Sequence, residues 1–245
     1  MTRISAFLIH LGISFAIFLG LAYLVVFIWY PDFFFSTDGG WQGIRIIVAV
    51  DLVLGPALTL IVFKPGKPGL KFDLTLIGLF QAACLIAGVY VVHSERPLAM
   101  VYVDGQFFSM SGDDYSGVGL PIPDLRAVPG KSPKWVTVEI PHDPWISQEI
   151  RMSAMRKGTP LRTLADRYAP FSVEDVDLER EAYPLSELVD RDQLTQQIPL
   201  WLDEHGGTLE DYAFVRLATR YRYVFLGIDR RDGAIAGVLG TPAPL

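Results

Sequence analysis

Cysteine is almost missing from this chain. Cys84 is the single one in 245 residues, and it lies inside an apolar run. No intramolecular disulfide is available, and a buried free thiol of this kind packs as a small hydrophobe. Histidine is nearly as scarce. His10, His93, His142 and His205 stand apart from one another, and none has a second His, Cys or acid at the spacing of the common zinc motifs. They suit scattered surface or interface roles. There is no G-x-S-x-G elbow and no S-x-x-K. The segment 64–71 has lysines and glycines without the spacing of a P-loop. Asp113-Asp114 and Glu174-Asp175-Val176-Asp177 lack the alternating ligands and central glycine of a calcium loop and read as solvated surface. A basic stripe is also absent. With 21 Lys and Arg against 27 Asp and Glu, the net charge is -6, which argues against nucleic acid as a partner. No metal, no cofactor and no catalytic cluster is expected, so the chain does not read as an enzyme.

Charge is sparse over the first ninety-odd residues. The chain is 51% hydrophobic, and the excess is concentrated there. Its mean hydropathy is +0.32. Three runs are long enough for a bilayer, which takes about 20 apolar residues. They are Ile4 to Tyr30, Trp41 to Phe63 and Phe72 to Val92. The first exceeds the 7–15 residues or so of a signal-peptide core. It also ends in Trp29-Tyr30-Pro31-Asp32-Phe33-Phe34-Phe35, an aromatic interface belt rather than a cleavage site. It therefore reads as a retained helix. The linker from Lys64 to Lys71 is a basic turn whose prolines and glycines stop both flanking helices.

The basic residues also give a direction. Arg3 precedes the first span, and Lys64, Lys67 and Lys71 sit between the second and third. The connection from Pro31 to Gly40 has two aspartates and no basic residue. The positive-inside rule places the N-terminus and the lysine loop in the cytoplasm, and three crossings place everything after Ser94 on the far side.

Beyond Pro97 the pattern is that of a water-exposed domain. Leu98 to Val103 and Phe107 to Met110 flank Asp104-Gly105, a type I′ hairpin signal. Residues 111–134 read as a long loop and Trp135 to Ile140 as a strand. Asp143-Pro144 opens a helix that Gly158 ends near Lys157. Thr159-Pro160 opens a second, short helix to about Tyr168, with Leu161, Leu164, Ala165 and Tyr168 on one face. Leu185 to His205 reads as helix, broken or kinked at Pro199 and stopped at Gly206-Gly207. Tyr212 to Leu217, Tyr221 to Ile228 and Ala234 to Leu239 read as strands, the last two joined by an Arg230-Arg231-Asp232-Gly233 loop. The expected architecture is a three-helix transmembrane domain over residues 1–95 and an α+β domain with an antiparallel sheet over 96–245.

The polar residues inside the spans are the candidate site. Arg45 lies one turn below Trp41, near the outer interface, where it can snorkel. Asp51 lies near mid-bilayer, at a cost of roughly 2.5–3.5 kcal/mol on translocon scales. Such residues face the bundle or a cavity and find partners. A lock between its own helices, partner binding and ion handling are all open to it. Six residues turn a helix by about 600°, so Arg45 and Asp51 sit on separate faces. At ~1.5 Å per residue, Ser14 lies about 15 Å, Gln81 about 13 Å and Asp51 about 18 Å above the inner ends of their spans. These depths predict that Asp51 bonds Gln81, Ser14 or both. Gly55-Pro56 follows one turn after Asp51, frees backbone groups there and is expected to kink the helix.

Four stretches carry a family resemblance. They are Gly39-Gly40-Trp41-Gln42-Gly43-Ile44-Arg45, Val50-Asp51-Leu52-Val53-Leu54-Gly55-Pro56, Leu70-Lys71-Phe72-Asp73-Leu74, and Tyr90 through Val103. They resemble the type IV pilin accessory proteins of the TfpX/TfpZ type, related to FimB-like fimbrial assembly proteins. The likeness is specific over roughly residues 1–107 and is weaker beyond. It implies a bacterial inner-membrane accessory factor for type IV pilus biogenesis, with a periplasmic C-terminal domain, that binds or stabilises the major pilin without catalysis. The implied partners are membrane lipids and the pilin, through both its transmembrane helix and its head. Pilins of that class carry a glutamate near the mature N-terminus, at a height close to His10 and the lysine loop and far from Arg45. Two other functions compete: an envelope enzyme that modifies pilin or glycan, and a small membrane sensor or transporter using Asp51. Converging carboxylates in a pocket would favour the enzyme.

Overall fold

The computed structural model describes residues 2–240. The chain falls into two compact units. One holds residues 1–35 and 39–96. The other joins Ser36–Asp38 to the chain from Pro97 onward.

Among the described residues, the first unit holds three helices long and apolar enough to cross a membrane: α1 (Arg3–Trp29), α2 (Gly40–Val62) and α3 (Leu70–Ser94). Thr2 caps α1 by accepting from the Ser5 N–H at 3.1 Å. Most apolar side chains on α1 and α3 point outward, as they must when lipid rather than a core solvates them. At the top of the bundle the Tyr30 hydroxyl donates to the Val92 carbonyl at 2.8 Å, and Trp29 meets His93 edge-on. In the linker, Lys67 pairs with Asp73 at 2.6 Å, while Lys64 and Lys71 are exposed.

Two stretches of the spans are π-helical, Leu24–Trp29 and Val48–Leu54. The second has a cause in the sequence. Pro56 has no N–H, so the ladder is short of a donor, and the helix takes up the deficit as a π segment one turn earlier. The disturbance expected from Gly55-Pro56 is seen as this π segment. Pro56 itself lies at the start of the regular segment Gly55–Val62, where a missing N–H is tolerated.

The second unit is α+β. Among the described residues its sheet has seven strands: β1 (Pro97–Val103), β2 (Gln106–Ser111), β3 (Lys134–Val138), β4 (Tyr168–Pro170), β5 (Tyr212–Ala218), β6 (Tyr223–Asp229) and β7 (Ile235–Leu239). Their spatial order is β4-β3-β1-β2-β5-β6-β7. Four pairings are antiparallel, while β1/β3 and β2/β5 are parallel, so the sheet is mixed but mostly antiparallel. Asp104 and Gly105 both take positive φ, 53° and 71°, as a type I′ hairpin demands. Helix α4 (Pro144–Lys157) is capped by Asp143, which accepts from the Trp145 and Ile146 N–H groups, and it ends on Gly158 in the left-handed region.

Some local expectations change. The segment after Pro160 forms two 3₁₀ turns rather than a helix, and Tyr168 opens β4. Its apolar face still packs, because Leu161, Leu164, Ala165 and Tyr168 all lie against a core of Val101, Met110, Tyr115 and Val136. The region from Leu185 splits into Leu185–Val189, Asp192–Thr195 and α5 (Gln197–His205). Pro199 sits in the first turn of α5, so the breaks fall before it. Asp113 and Asp114 are exposed, as expected of solvated surface, and they also have a local structural role. Both lie in a short helix, Gly112–Ser116, and the Asp114 carboxylate accepts from the Ser111 N–H at 2.7 Å and its hydroxyl at 2.8 Å. In the second acidic run, Asp175 closes a similar capping box with Ser172.

The last hairpin starts later than its sequence suggests. Tyr221 lies outside β6 because its N–H donates to the Thr37 carbonyl, which also accepts from the Thr219 hydroxyl at 3.0 Å. Beside it Asp38 is buried and accepts from the Thr37 hydroxyl at 2.7 Å and the Arg220 N–H at 3.3 Å. Burial raises the Asp38 pKa above 3.8, against the lowering effect of hydrogen bonds from Ser109, Thr37 and Arg220. A raised folded-state pKa contributes stability that is fully present below pH 3.8 and is lost as pH rises through the folded value. Asp38→Asn removes that titration. Its unfolding free energy, followed by urea titration at a series of pH values, should fall less steeply above pH 3.8 than that of the native chain. Equal slopes would refute the assignment.

Candidate functional site

A buried polar layer crosses the three-helix unit. Asp51 sits in the middle of the π segment and is 1% exposed. Its Oδ1 accepts from the Ser14 hydroxyl at 3.2 Å and from Gln81 Nε2. Gln81 Nε2 also reaches the Ser14 hydroxyl at 3.2 Å and the Asp51 backbone carbonyl at 3.4 Å. That carbonyl is available because of the helix geometry. Gly55 N–H donates to Val50 rather than to Asp51, and the next residue, Pro56, has no N–H to offer. Gly55 serves the site a second way, since a methyl group there would overlap the Gln81 carboxamide. Gly55 and Pro56 therefore shape one binding seat, the first by leaving space and the second by leaving an acceptor.

The other end of Gln81 extends the layer. Its Oε1 lies 2.8 Å from His10 Nε2, and His10 Nδ1 lies 2.6 Å from the Thr59 hydroxyl. The Asp51 carbonyl and carboxylate are acceptors, so the donating amide nitrogen must face them and Oε1 must face His10. His10 Nε2 then carries a proton, and in the neutral ring Nδ1 accepts from Thr59. Among the described residues, Asp51 Oδ2 is buried with no hydrogen-bond partner.

The structure thus joins four of the named membrane residues, Asp51, Gln81, Ser14 and His10. The depths of the first three already placed them at one level. Thr59 was missed, since a lone threonine in an apolar run gives no signal; only its position eight residues after Asp51 sets it two turns along the same helix. Arg45 stands apart. It is exposed, with its guanidinium over the Trp41 ring at 5.1 Å. Among the described residues, the lysine loop shares no hydrogen bond with the layer; Lys67 bonds Asp73 instead. Among the described residues, no group of three or more His, Cys, Asp or Glu is placed to hold a metal ion.

The second unit has its own feature, a polar cleft of about 1350 Å³ beside the Asp104-Gly105 turn. Carboxylates and arginines converge on it, including Glu139, Glu174, Glu181, Arg167, Arg180 and Arg216. Several are already engaged. Glu181 accepts from the Tyr102 hydroxyl and from the Asp177 N–H at 3.2 Å, and Arg180 lies 3.6 Å from it. Burial, then the Glu181 carboxylate, raises the Tyr102 pKa, so its phenol stays protonated. At the rim, Asp104 is held by Arg151 through two bonds of 2.6 Å.

Three apolar helices locked by a buried polar layer, followed by an α+β domain, define a membrane-associated protein of two units. Relatives in Dichelobacter nodosus share much of this chain. The fimbrial assembly protein of serogroup E1 is 28% identical over 197 residues, covering 77% of this chain and 75% of the relative. That of serogroup I is 27% identical over 187 residues, covering 73% and 71%. That of serogroups C1 and C2 is 34% identical over 97 residues, covering 38% of this chain and 73% of the relative. No family model and no solved structure matches. The chain belongs to the fimbrial assembly protein family.

Proposed function

We propose that this protein is an inner-membrane accessory factor for type IV pilus biogenesis that holds the major pilin before or during assembly. It does so without catalysis. The pilin's apolar helix packs against the three-helix bundle, and its head meets the C-terminal domain. The relatives' role in fimbrial assembly supports the first part. The observation that carries the docking is the buried Asp51 Oδ2, an acceptor with no donor from its own helices. A buried polar atom of this kind is rare in native folds and points to a group still to arrive. Deletion of the gene is the test: surface pili should be lost, and total pilin should fall if the factor protects it. Normal piliation would contradict the reading.

The N-terminus and lysine loop lie in the cytoplasm in this reading, and the α+β domain in the periplasm. Alkaline phosphatase fused after Ser94 should be active, and phosphatase fused within residues 64–71 should be silent. The reverse would overturn the orientation.

The polar cleft favours a second reading, an envelope enzyme acting on pilin or glycan. Against it, Glu181, Asp104, Glu174 and Asp175 are committed to internal partners. Glu139 and His142 are the exposed exceptions. A Glu139→Gln, His142→Ala variant that abolished piliation while folding normally would support the enzyme.

A further inference from the structure

One face of the C-terminal sheet carries a trough between the core around Val101 and Val136 and the core around Trp201. Strand register lays its floor. Gln106 stands opposite Val103 and Phe108 opposite Val101 in the β1/β2 hairpin. The next strand sets Arg216 beside Gln106 and Ala218 beside Phe108. On β6, Phe225 and Tyr223 continue the two rows. Directly paired residues share a face, so these side chains form one surface. Tyr223 on it is 85% exposed, and the short Ala218 side chain keeps the floor low between Phe108 and Tyr223.

Three hollows follow one another along this surface. The polar cleft of about 1350 Å³ shares Val103, Asp104 and Gln106 with a hollow of about 210 Å³. That hollow shares Phe108 and Arg162 with a third of about 580 Å³. Linked hollows in a row suit an extended chain better than a compact small molecule.

The arginines of the trough differ from others in this unit. Arg126, Arg151, Arg180 and Arg231 each lie against a carboxylate. Arg162 instead lies over the Phe108 ring, 5.0 Å from its centroid, and Arg216 lies 5.5 Å from the Tyr183 centroid. Arg191 shares the Tyr183 ring at 5.1 Å, so two like charges gather on one phenol. Among the described residues, none of these three pairs with an acid. Stacking fixes the planar guanidinium while its N–H edge stays available, and that fork matches a carboxylate. The acids near by are mostly spent, with Asp104 held by Arg151 and Asp114 by Ser111. Asp113 lines the third hollow, and Glu139 and Arg167, one of each sign, line the first.

We propose that this trough binds an extended acidic segment of a protein partner, with Arg162 and Arg216 each taking a carboxylate of that segment. The Phe108 and Tyr223 rings pack its apolar atoms, and the Gln106 carboxamide suits its peptide groups. The site lies wholly within the C-terminal unit and does not depend on docking at Asp51. A net charge of -6 disfavours denser polyanions such as nucleic acid.

The test uses the purified full chain in detergent at low salt. Its probe is a short fluorescent peptide with glutamates at alternate positions, read by fluorescence anisotropy. A matched peptide with glutamines should bind at least tenfold more weakly. Arg162→Gln and Arg216→Gln should each weaken the glutamate peptide about fivefold, which is ~1 kcal/mol at 1.4 kcal/mol per tenfold. Arg162→Lys should recover part of the loss, since it keeps the charge without the fork. Arg126→Gln, whose arginine already pairs with Asp124, should change nothing. Equal binding of the two peptides would overturn the proposal, and so would a loss in Arg126→Gln as large as in the trough variants. Displacement of the peptide by an equal concentration of inorganic phosphate would overturn the extended segment as the ligand and leave a simple anion site.

Discussion

Gln81→Leu should destabilise the three-helix unit far more than loss of one hydrogen bond implies. Hydrogen bonds between membrane helices average about 0.6 kcal/mol. Gln81, however, is the hub, contacting Asp51 at both carboxylate and carbonyl, Ser14 and His10. Leucine would leave the Asp51 carboxylate with the Ser14 hydroxyl alone, and His10 Nε2 without its acceptor. Stranding a buried polar group costs about 1–3 kcal/mol, more when it is charged. Adding Asp51→Leu should restore part of the loss, because the stranded acid then goes too. Asp51→Asn should be mild, since an amide oxygen still accepts from Ser14 and Gln81. Thermal unfolding of the purified protein in detergent would rank the variants. If Gln81→Leu unfolded at the native temperature, or if the double change were the worst of the set, the polar layer would not be holding the helices.

Trp201→Ala should cost about 3–5 kcal/mol in the C-terminal domain, the usual range for removing a large core aromatic. Trp201 is 6% exposed and belongs to a core of the C-terminal unit with Leu188, Ile198, Tyr212, Phe214 and Phe225. It packs edge-on against Tyr212 and Phe214, with centroids 4.7 and 5.3 Å away, and stacks on His205 at 4.2 Å. The strand beneath is shaped for it, because a Cβ on Gly227 would come 2.8 Å from the indole. Among the described residues its Nε1 is buried without an acceptor. That penalty disappears with the ring, so the loss should sit at the lower end of the range. Trp201→Phe, which keeps an aromatic and drops the N–H, should cost clearly less. Urea unfolding followed by tyrosine fluorescence would measure both. Equal losses would mean that the indole N–H is satisfied or that the pocket collapses freely.

Local chemistry made much of this fold legible. Asp104-Gly105, Asp143-Pro144 and Gly158 each fix a turn or a helix end from their own backbone preferences, and each does so here. Helical rise alone placed Ser14, Asp51 and Gln81 within reach of one another. What escaped was non-local. Strand order is not written in alternation, so the parallel pairings of β1 with β3 and β2 with β5 were hidden. Thr37 and Asp38 read as part of a connection between spans, yet they pack within the C-terminal unit, 182 residues from their hydrogen-bond partners. Pro56 announced a disturbance but not its form, because a kink and a π segment both relieve a missing N–H.

The membrane-docking claim is tested most directly by photo-crosslinking in cells that express pilin. A photoreactive amino acid would be placed at successive positions along α1, α2 and α3. The account predicts pilin adducts that map to one helical face of the bundle, and reduced piliation in Asp51→Asn cells although the protein itself stays folded. No adduct at any position, together with normal pili in Asp51→Asn cells, would contradict it.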